Sequence, residues 1–276
     1  MAGIAVDSYT LSIKPRSILI LTAIQMEARA VAKALGVRLG QDSVAVPGIS
    51  SPLWIRSIGM RAADLPTDFS PDELECVILA GFGGALWANL GVGDIVIEGT
   101  GKQGLPPDWH VGKIHTSRDL LESPDQKSRL FAQTGAMAVD MEAAIVQEWL
   151  ERGMAFQPMK TAIRDEAFNT SKTIDASSAQ PRPEARATAV PFIHLRAISD
   201  AAVDGVNPIV MSIIDRHGRI KAGKLTAALL LNPSLIWQLL KLGSHSKHAA
   251  KSLGQAIRRL LMMGSSERAG HDLQTK

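Results

Sequence analysis

The 276-residue chain predicts an α/β fold built on a largely buried sheet. Three observations carry that reading. Short unbroken apolar runs recur, as strands covered on both faces require. Segments of helical composition follow them, and glycines stand where the runs end. With 46% apolar residues the chain can bury a large core, as one domain of generous size or one domain with appendages.

The elements follow in order. Residues 1–16 lack the continuous apolar centre of a signal peptide and read as an N-terminal extension. Ile18 to Thr22 is the first buried strand, and Met26 to Leu35 has the composition of the helix after it. Leu53 to Ile58 is a second apolar stretch that runs into Gly59, and Cys76 to Ala80 is a third that runs into G-F-G-G at Gly81 to Gly84. Those glycines read as a turn, the alternative being a place where backbone approaches a bound group, since only a residue without a side chain lets it come close. Ile95 to Ile97 is a fourth strand, entered through Gly93 and Asp94. From Gly99 to Thr134 the chain is polar and carries Pro106, Pro107 and Pro124, which predicts a loop and a short helix over Gln126 to Gln133.

The stretch A-V-D-M-E-A-A, Ala138 to Ala144, opens the next helix, with Met141 and Glu142 in its first turn and Ile145, Val146, Trp149 and Leu150 as its apolar stripe. A carboxylate at the positive helix end accepts hydrogen bonds without a cationic partner, which suits a group that grips hydroxyls. Residues 156–190 are rich in Thr, Ser, Ala and charge, with no sustained apolar period, and read as an inserted loop or lid. Pro191 to Asp200 is a strand that delivers Arg196, Ser199 and Asp200 at its end. Its apolar residues put Asp200 in a partly apolar setting, where desolvation favours the neutral form a general acid needs. Residues 207–262 form a helical C-terminal part, and 263–276 read as a polar, disordered tail.

Composition removes several classes of function. The net charge is only +3, no block of five like charges occurs, and one Tyr with six Phe gives none of the basic and aromatic interleaving of single-strand binders. Nucleic acid is therefore not an expected partner. The lone Cys76 excludes a disulfide framework and reads as a small buried hydrophobe. Seven scattered histidines complete no ligand set, so no metal is expected. No run of eighteen apolar residues occurs, and the chain is expected in the cytoplasm.

In open α/β sheets ligands gather at the carboxyl ends of strands, where Thr22 to Glu27, Gly59 to Arg61 and Gly81 to Gly84 all fall. The motifs I-L-T-A-I-Q-M-E-A, A-G-F-G-G-A-L with L-G-V-G-D-I-V-I, A-V-D-M-E-A-A and L-R-A-I-S-D follow one another between Ser17 and about Val203. In that order they resemble the nucleoside phosphorylase and nucleosidase superfamily, which includes methylthioadenosine/S-adenosylhomocysteine nucleosidase. Within it, M-E-A-R-A-V-A at Met26 to Ala32, T-G-A-M-A-V-D-M-E-A at Thr134 to Ala143 and the helical extension after D-R-H-G-R at Asp215 to Arg219 look most like the hopanoid-associated phosphorylases.

The resemblance implies a three-layer α/β/α catalytic domain over 17–262, with a central mixed, partly barrel-like sheet. It implies cleavage of the N-glycosidic bond of an adenine nucleoside, with release of adenine from adenosylhopane in hopanoid biosynthesis. The alternatives are a methylthioadenosine/S-adenosylhomocysteine nucleosidase and a non-catalytic nucleoside-binding protein. By resemblance, Asp200 protonates or hydrogen-bonds the purine N7, Glu27 activates water, Glu142 holds the ribose 2′- and 3′-hydroxyls and Met141 packs on the ribose. Arg196, Ser199, Gly81, Phe82 and Gly83 would complete the substrate pocket. No cofactor is implied; inorganic phosphate is a candidate co-substrate, with Arg29 and Arg61 as its candidate ligands. The chain departs from the pattern at Phe82, where many members carry Ser, and at Leu79, where some phosphorylases place a phosphate-binding Arg. The resemblance also implies a homodimer. The basic-rimmed apolar segments after Leu225 either cap the sheet or touch the inner membrane peripherally.

Overall fold

The computed structural model describes residues 16–40, 42–99, 104–154, 190–205, 209, 213–215, 217–232 and 235–274. The expected N-terminal extension before residue 16 and nearly all of the 156–190 insertion lie outside them. Among the described residues eight strands form one mixed sheet: β1 (Ser17–Thr22), β2 (Leu53–Ser57), β3 (Leu74–Ala85), β4 (Ile95–Glu98), β5 (Trp109–Val111), β6 (Ile114–Thr116), β7 (Ala138–Asp140) and β8 (Phe192–Asp200). The order is β2-β1-β3-β8-β4-β5, with β7 bridging β3 and β6. Strands β2, β1, β3 and β8 run parallel, so their carboxyl ends meet along one edge. β4 is antiparallel to β8.

Among the described residues five α-helices accompany the sheet: α1 (Gln25–Leu35), α2 (Pro124–Thr134), α3 (Ala143–Glu151), α4 (Ala222–Leu231) and α5 (Leu235–Gln274). Alternation along β1 sets the layers, since successive side chains of a strand face opposite sides. Ile18 and Ile20 face α1 and α5, joining Val31, Leu35, Leu253 and Ile257 in the larger core. Leu19 and Leu21 face α3, joining Val146 and Trp149. α5 crosses α1 closely because Gly254 has no side chain: a Cβ there would sit 2.6 Å from the Ala30 carbonyl oxygen. The second half of the C-terminal region thus caps the sheet. Among the described residues no helix is long and apolar enough to cross a membrane.

Four expectations change. G-F-G-G is not a turn; β3 continues through it as a twelve-residue strand. Its far end reaches past the parallel core to pair with β7, at Gly84 with Val139 and Ala85 with Ala138. A-V-D-M-E-A-A begins as β7, and the helix starts only at Ala143. The polar stretch from Gly99 contains β5 and β6, three residues each, too short for a pattern of period two to stand out. The segment read as a disordered tail from 263 carries helix α5 onward to Gln274, through Ser, Glu, Arg and Ala that all tolerate a helix.

Candidate active site

The site forms where the carboxyl ends of β1, β3 and β8 meet the β7–α3 junction, the position the parallel sheet favours for ligands. A cavity of about 260 Å³ opens there. Glu27, Glu142, Asp200, Ser199, Met141, Phe82 and Gly83 all border it, together with Asp140 and Lys127. Its wall is mostly apolar with a few convergent polar groups, the usual build of a small-molecule pocket.

Glu27 is the third residue of α1. Its carboxylate reaches back over the helix start, accepting from the Ile24 N–H at 2.9 Å through Oε2, and across to β3, accepting from the Phe82 N–H at 2.7 Å through Oε1. The side chain is 2% exposed. Burial raises its pKa to about 7 against the opposing pull of the Arg196 guanidinium and the two N–H donors. A carboxylate poised near neutrality is matched to accepting a proton.

Arg196 lies in the middle of β8, fully buried, and its register explains the glycine beside it. Gly81 is its cross-strand partner, and a Cβ at Gly81 would lie 2.2 Å from Arg196 Nη1 and 3.0 Å from Glu27 Oε1. The glycine therefore opens the path by which the guanidinium reaches the carboxylates. The Arg196 guanidinium pairs closely with Asp140, lies 3.3 Å from Glu142 Oε2 and donates through Nε to His194 Nε2 at 2.9 Å. Burial alone would lower the Arg196 pKa, and Asp140, Glu142 and Glu27 together raise it. For Asp140 burial would push upward, but Arg196 and His194 hold its carboxyl well below the usual range. Gly81→Ala is expected to cost about 1–3 kcal/mol through this overpacking. A lowered thermal midpoint checks it; an unchanged midpoint contradicts the close approach.

Glu142 sits at the N-cap of α3, yet it does not cap the helix. Asp140 Oδ2 accepts from the Ala143 N–H at 3.0 Å and Thr116 Oγ1 accepts from the Ala144 N–H at 3.1 Å, which frees Glu142 to turn into the cavity. Its Oε1 accepts from the backbone N–H of Arg61 at 2.9 Å. Arg61 adopts the left-handed conformation, with φ 58° and ψ 30°, to present that N–H. Such a conformation in a non-glycine residue is a local cost held by its surroundings. Glu142 is 4% exposed, and desolvation raises its pKa, opposed by Arg196 and reinforced by Asp140. Contrary to expectation, it does have a cationic partner.

Asp200 ends β8. Its Oδ1 accepts from Ser199 Oγ at 2.8 Å, and its Oδ2 lies 2.5 Å from the Lys127 ammonium, which also donates to the Ala201 carbonyl at 2.8 Å. The expected apolar setting is therefore corrected: Asp200 faces a buried cation. Neither Arg29 nor Arg61 borders the cavity; both side chains are exposed, and Arg61 contributes its N–H instead. Arg196 lies behind the carboxylates and is not on the cavity wall, and Gly81 serves Arg196 and Glu27 from the same position. Leu79 is buried in the core on the α3 side.

Two residues that border the cavity escaped the sequence reading. Asp140 lies within A-V-D-M-E-A-A, two residues before Glu142. Lys127 carried a readable signal, since it shares one face of α2 with Leu130, Phe131 and Thr134, and a lysine on the inward stripe of a helix needs a partner.

No family model and no curated protein matches the chain. Solved structures match its fold. A futalosine hydrolase of Helicobacter pylori is 14% identical, covers 89% of this chain and 97% of its own, and superposes with a TM-score of 0.50. A 5′-methylthioadenosine/S-adenosylhomocysteine nucleosidase of the same organism, complexed with a pyrrolopyrimidine-bearing pyrrolidinol, is 15% identical, covers 91% and 98%, and has a TM-score of 0.51. The corresponding nucleosidase of S. pneumoniae with a transition-state inhibitor is 15% identical, covers 90% and 99%, and also has a TM-score of 0.51. The chain has the nucleosidase fold.

Proposed function

We propose that this nucleosidase-fold chain hydrolyses the N-glycosidic bond of a purine nucleoside. The observation that carries the reading is the convergence on one small cavity of a buried Glu27 poised near neutrality, a Glu142 held in place from behind and an Asp200 at the opposite strand end. Cleavage of such a bond builds positive charge on the ribose and negative charge on the base. Glu142 keeps acceptor capacity beyond the Arg61 and Arg196 contacts, because a carboxylate offers about four lone-pair sites. It is suited to grip the vicinal ribose hydroxyls while its charge stabilises an oxocarbenium-like sugar. Glu27 takes the proton of the attacking water, Met141 packs on the sugar and Asp200 with Ser199 meets the base. A pure binding protein has no use for a buried base opposite an acid site.

Water is favoured over phosphate because, among the described residues, no guanidinium side chain borders the cavity. The expected result is base release at the same rate with and without phosphate. Arg61→Gly, which keeps the N–H to Glu142 and relieves the left-handed conformation, should retain turnover and gain up to about 1 kcal/mol of stability. A rate that needs phosphate and collapses in Arg61→Gly would contradict hydrolysis.

For the 5′ substituent we propose an apolar group, with adenosylhopane as the substrate. Met26 and Leu242 line the cavity, and Leu242 lies on the same helix as Trp237, which is 77% exposed, and Leu240. That apolar surface beside Lys241 also suits peripheral contact with a membrane. A second reading, 5′-methylthioadenosine or S-adenosylhomocysteine, is favoured by the cavity's modest size, about 260 Å³. Adenine release by purified protein from each nucleoside, followed by chromatography, decides between them; release from none would overturn the proposal.

A further inference from the structure

α2 has one buried residue, and it is a lysine. Lys127 is 1% exposed, borders the cavity, and places its ammonium 2.5 Å from Asp200 Oδ2 and 2.8 Å from the Ala201 carbonyl oxygen. A buried ion pair is weak as a source of stability, since desolvation of both partners offsets the attraction. A pair of this kind on a cavity wall is placed to act on whatever the cavity holds. The ammonium has three N–H donors, and two have acceptors here. Asp200 in turn accepts from Ser199 on its other oxygen, so both carboxylate oxygens are bound as acceptors. A carboxylate engaged in this way is poorly placed to carry the proton that a leaving base takes.

We infer that Lys127 donates the proton to the leaving base, and that Asp200 is the carboxylate that aims it. The inference rests on the glycosidic-cleavage reading above. As the C1′–N bond breaks, its electron pair goes to the base, and a proton moves from Lys127 Nζ to a purine ring nitrogen. Lys127 is left as the neutral amine and Asp200 remains a carboxylate throughout. Water adds to C1′ and gives its proton to Glu27. After release of the base, Glu27 loses that proton to solvent and Lys127 regains one, so the sum is consumption of one water.

The test compares two leaving groups. A purine needs a proton to depart, whereas 4-nitrophenolate departs as an anion. Wild type, Lys127→Met, Lys127→Gln and Lys127→Arg, each checked for a cooperative thermal transition, are assayed on the purine nucleoside turned over by wild type and on 4-nitrophenyl β-D-riboside. Lys127→Met and Lys127→Gln are expected to lose about 10²–10⁴ on the nucleoside, the usual range for a general acid, and only a few-fold on the nitrophenyl riboside. Lys127→Arg restores the cation but does not release its proton, so it should stay slow on the nucleoside. If Lys127→Met fails to fold, Lys127→Gln, which keeps N–H donors for Asp200 and Ala201, carries the comparison. Equal losses on both substrates, full activity of either neutral variant, or recovery in Lys127→Arg would overturn the assignment of Lys127 while leaving the glycosidase reading standing. Wild type inactive on both substrates would defeat the glycosidase reading itself.

Discussion

Asp200→Asn is expected to lower turnover of the purine nucleoside by about 10² or more, the scale on which a proton-transfer site contributes. The substitution keeps the shape and the hydrogen bond to Ser199 but removes the charge that holds the Lys127 ammonium at 2.5 Å. Leaving a buried cation unpaired is also costly, so the variant should unfold at a lower temperature than wild type. Steady-state rates and thermal unfolding check both effects. An Asp200→Asn enzyme with wild-type turnover would remove this corner of the cavity from the mechanism.

Glu27→Gln is expected to abolish water activation, with a loss of about 10²–10⁴, and to change the pH dependence of both rate and stability. In wild type the rate should rise with pH through about 7, where the buried carboxyl ionises. Stability should run the other way. Burial raises Glu27 from 4.5 to about 7 in the folded chain, so the folded state keeps a proton that the unfolded chain gives up. This contribution to stability is fully present below pH 4.5 and is lost as pH rises through about 7. Over that window it amounts to on the order of 3 kcal/mol. Glu27→Gln, neutral at every pH, should flatten that part of the curve. Thermal midpoints measured from pH 4 to 8 decide it, and a wild-type midpoint that climbs steadily to pH 7 with an unchanged curve in the variant would contradict the raised pKa of the buried Glu27.

Strands with a continuous apolar run through the sheet announce themselves, which is why β1, β4 and β8 were legible within a residue or two, and the edge strand β2 was legible from its alternating buried residues Leu53 and Ile55. So was α1, whose start carries Glu27 and whose apolar face meets the sheet. The site residues Glu27, Glu142 and Asp200 were legible because acids at strand and helix ends stand out against apolar runs. What failed was whatever depends on a partner distant in sequence. Gly81 to Gly84 look like a turn until Arg196, over a hundred residues later, is seen to need the space above Gly81. Arg61 looks like an anion ligand until its backbone N–H is found on Glu142. Lys127 stands on the inward stripe of α2, but its partner Asp200 comes 73 residues later and no local pattern names it. The segment after Gly99 hid β5 and β6 because three-residue strands owe their existence to the neighbours they pair with.

In the proposed reaction, water attacks C1′ of a purine nucleoside inside this cavity. The most direct measurement is turnover in ¹⁸O-enriched water without phosphate, followed by mass spectrometry of the sugar and the base. One ¹⁸O at the C1′ hydroxyl and none in the released purine is the predicted result. Release of base only when phosphate is added, with a ribosyl 1-phosphate as product, or no release from any purine nucleoside that binds, would contradict it.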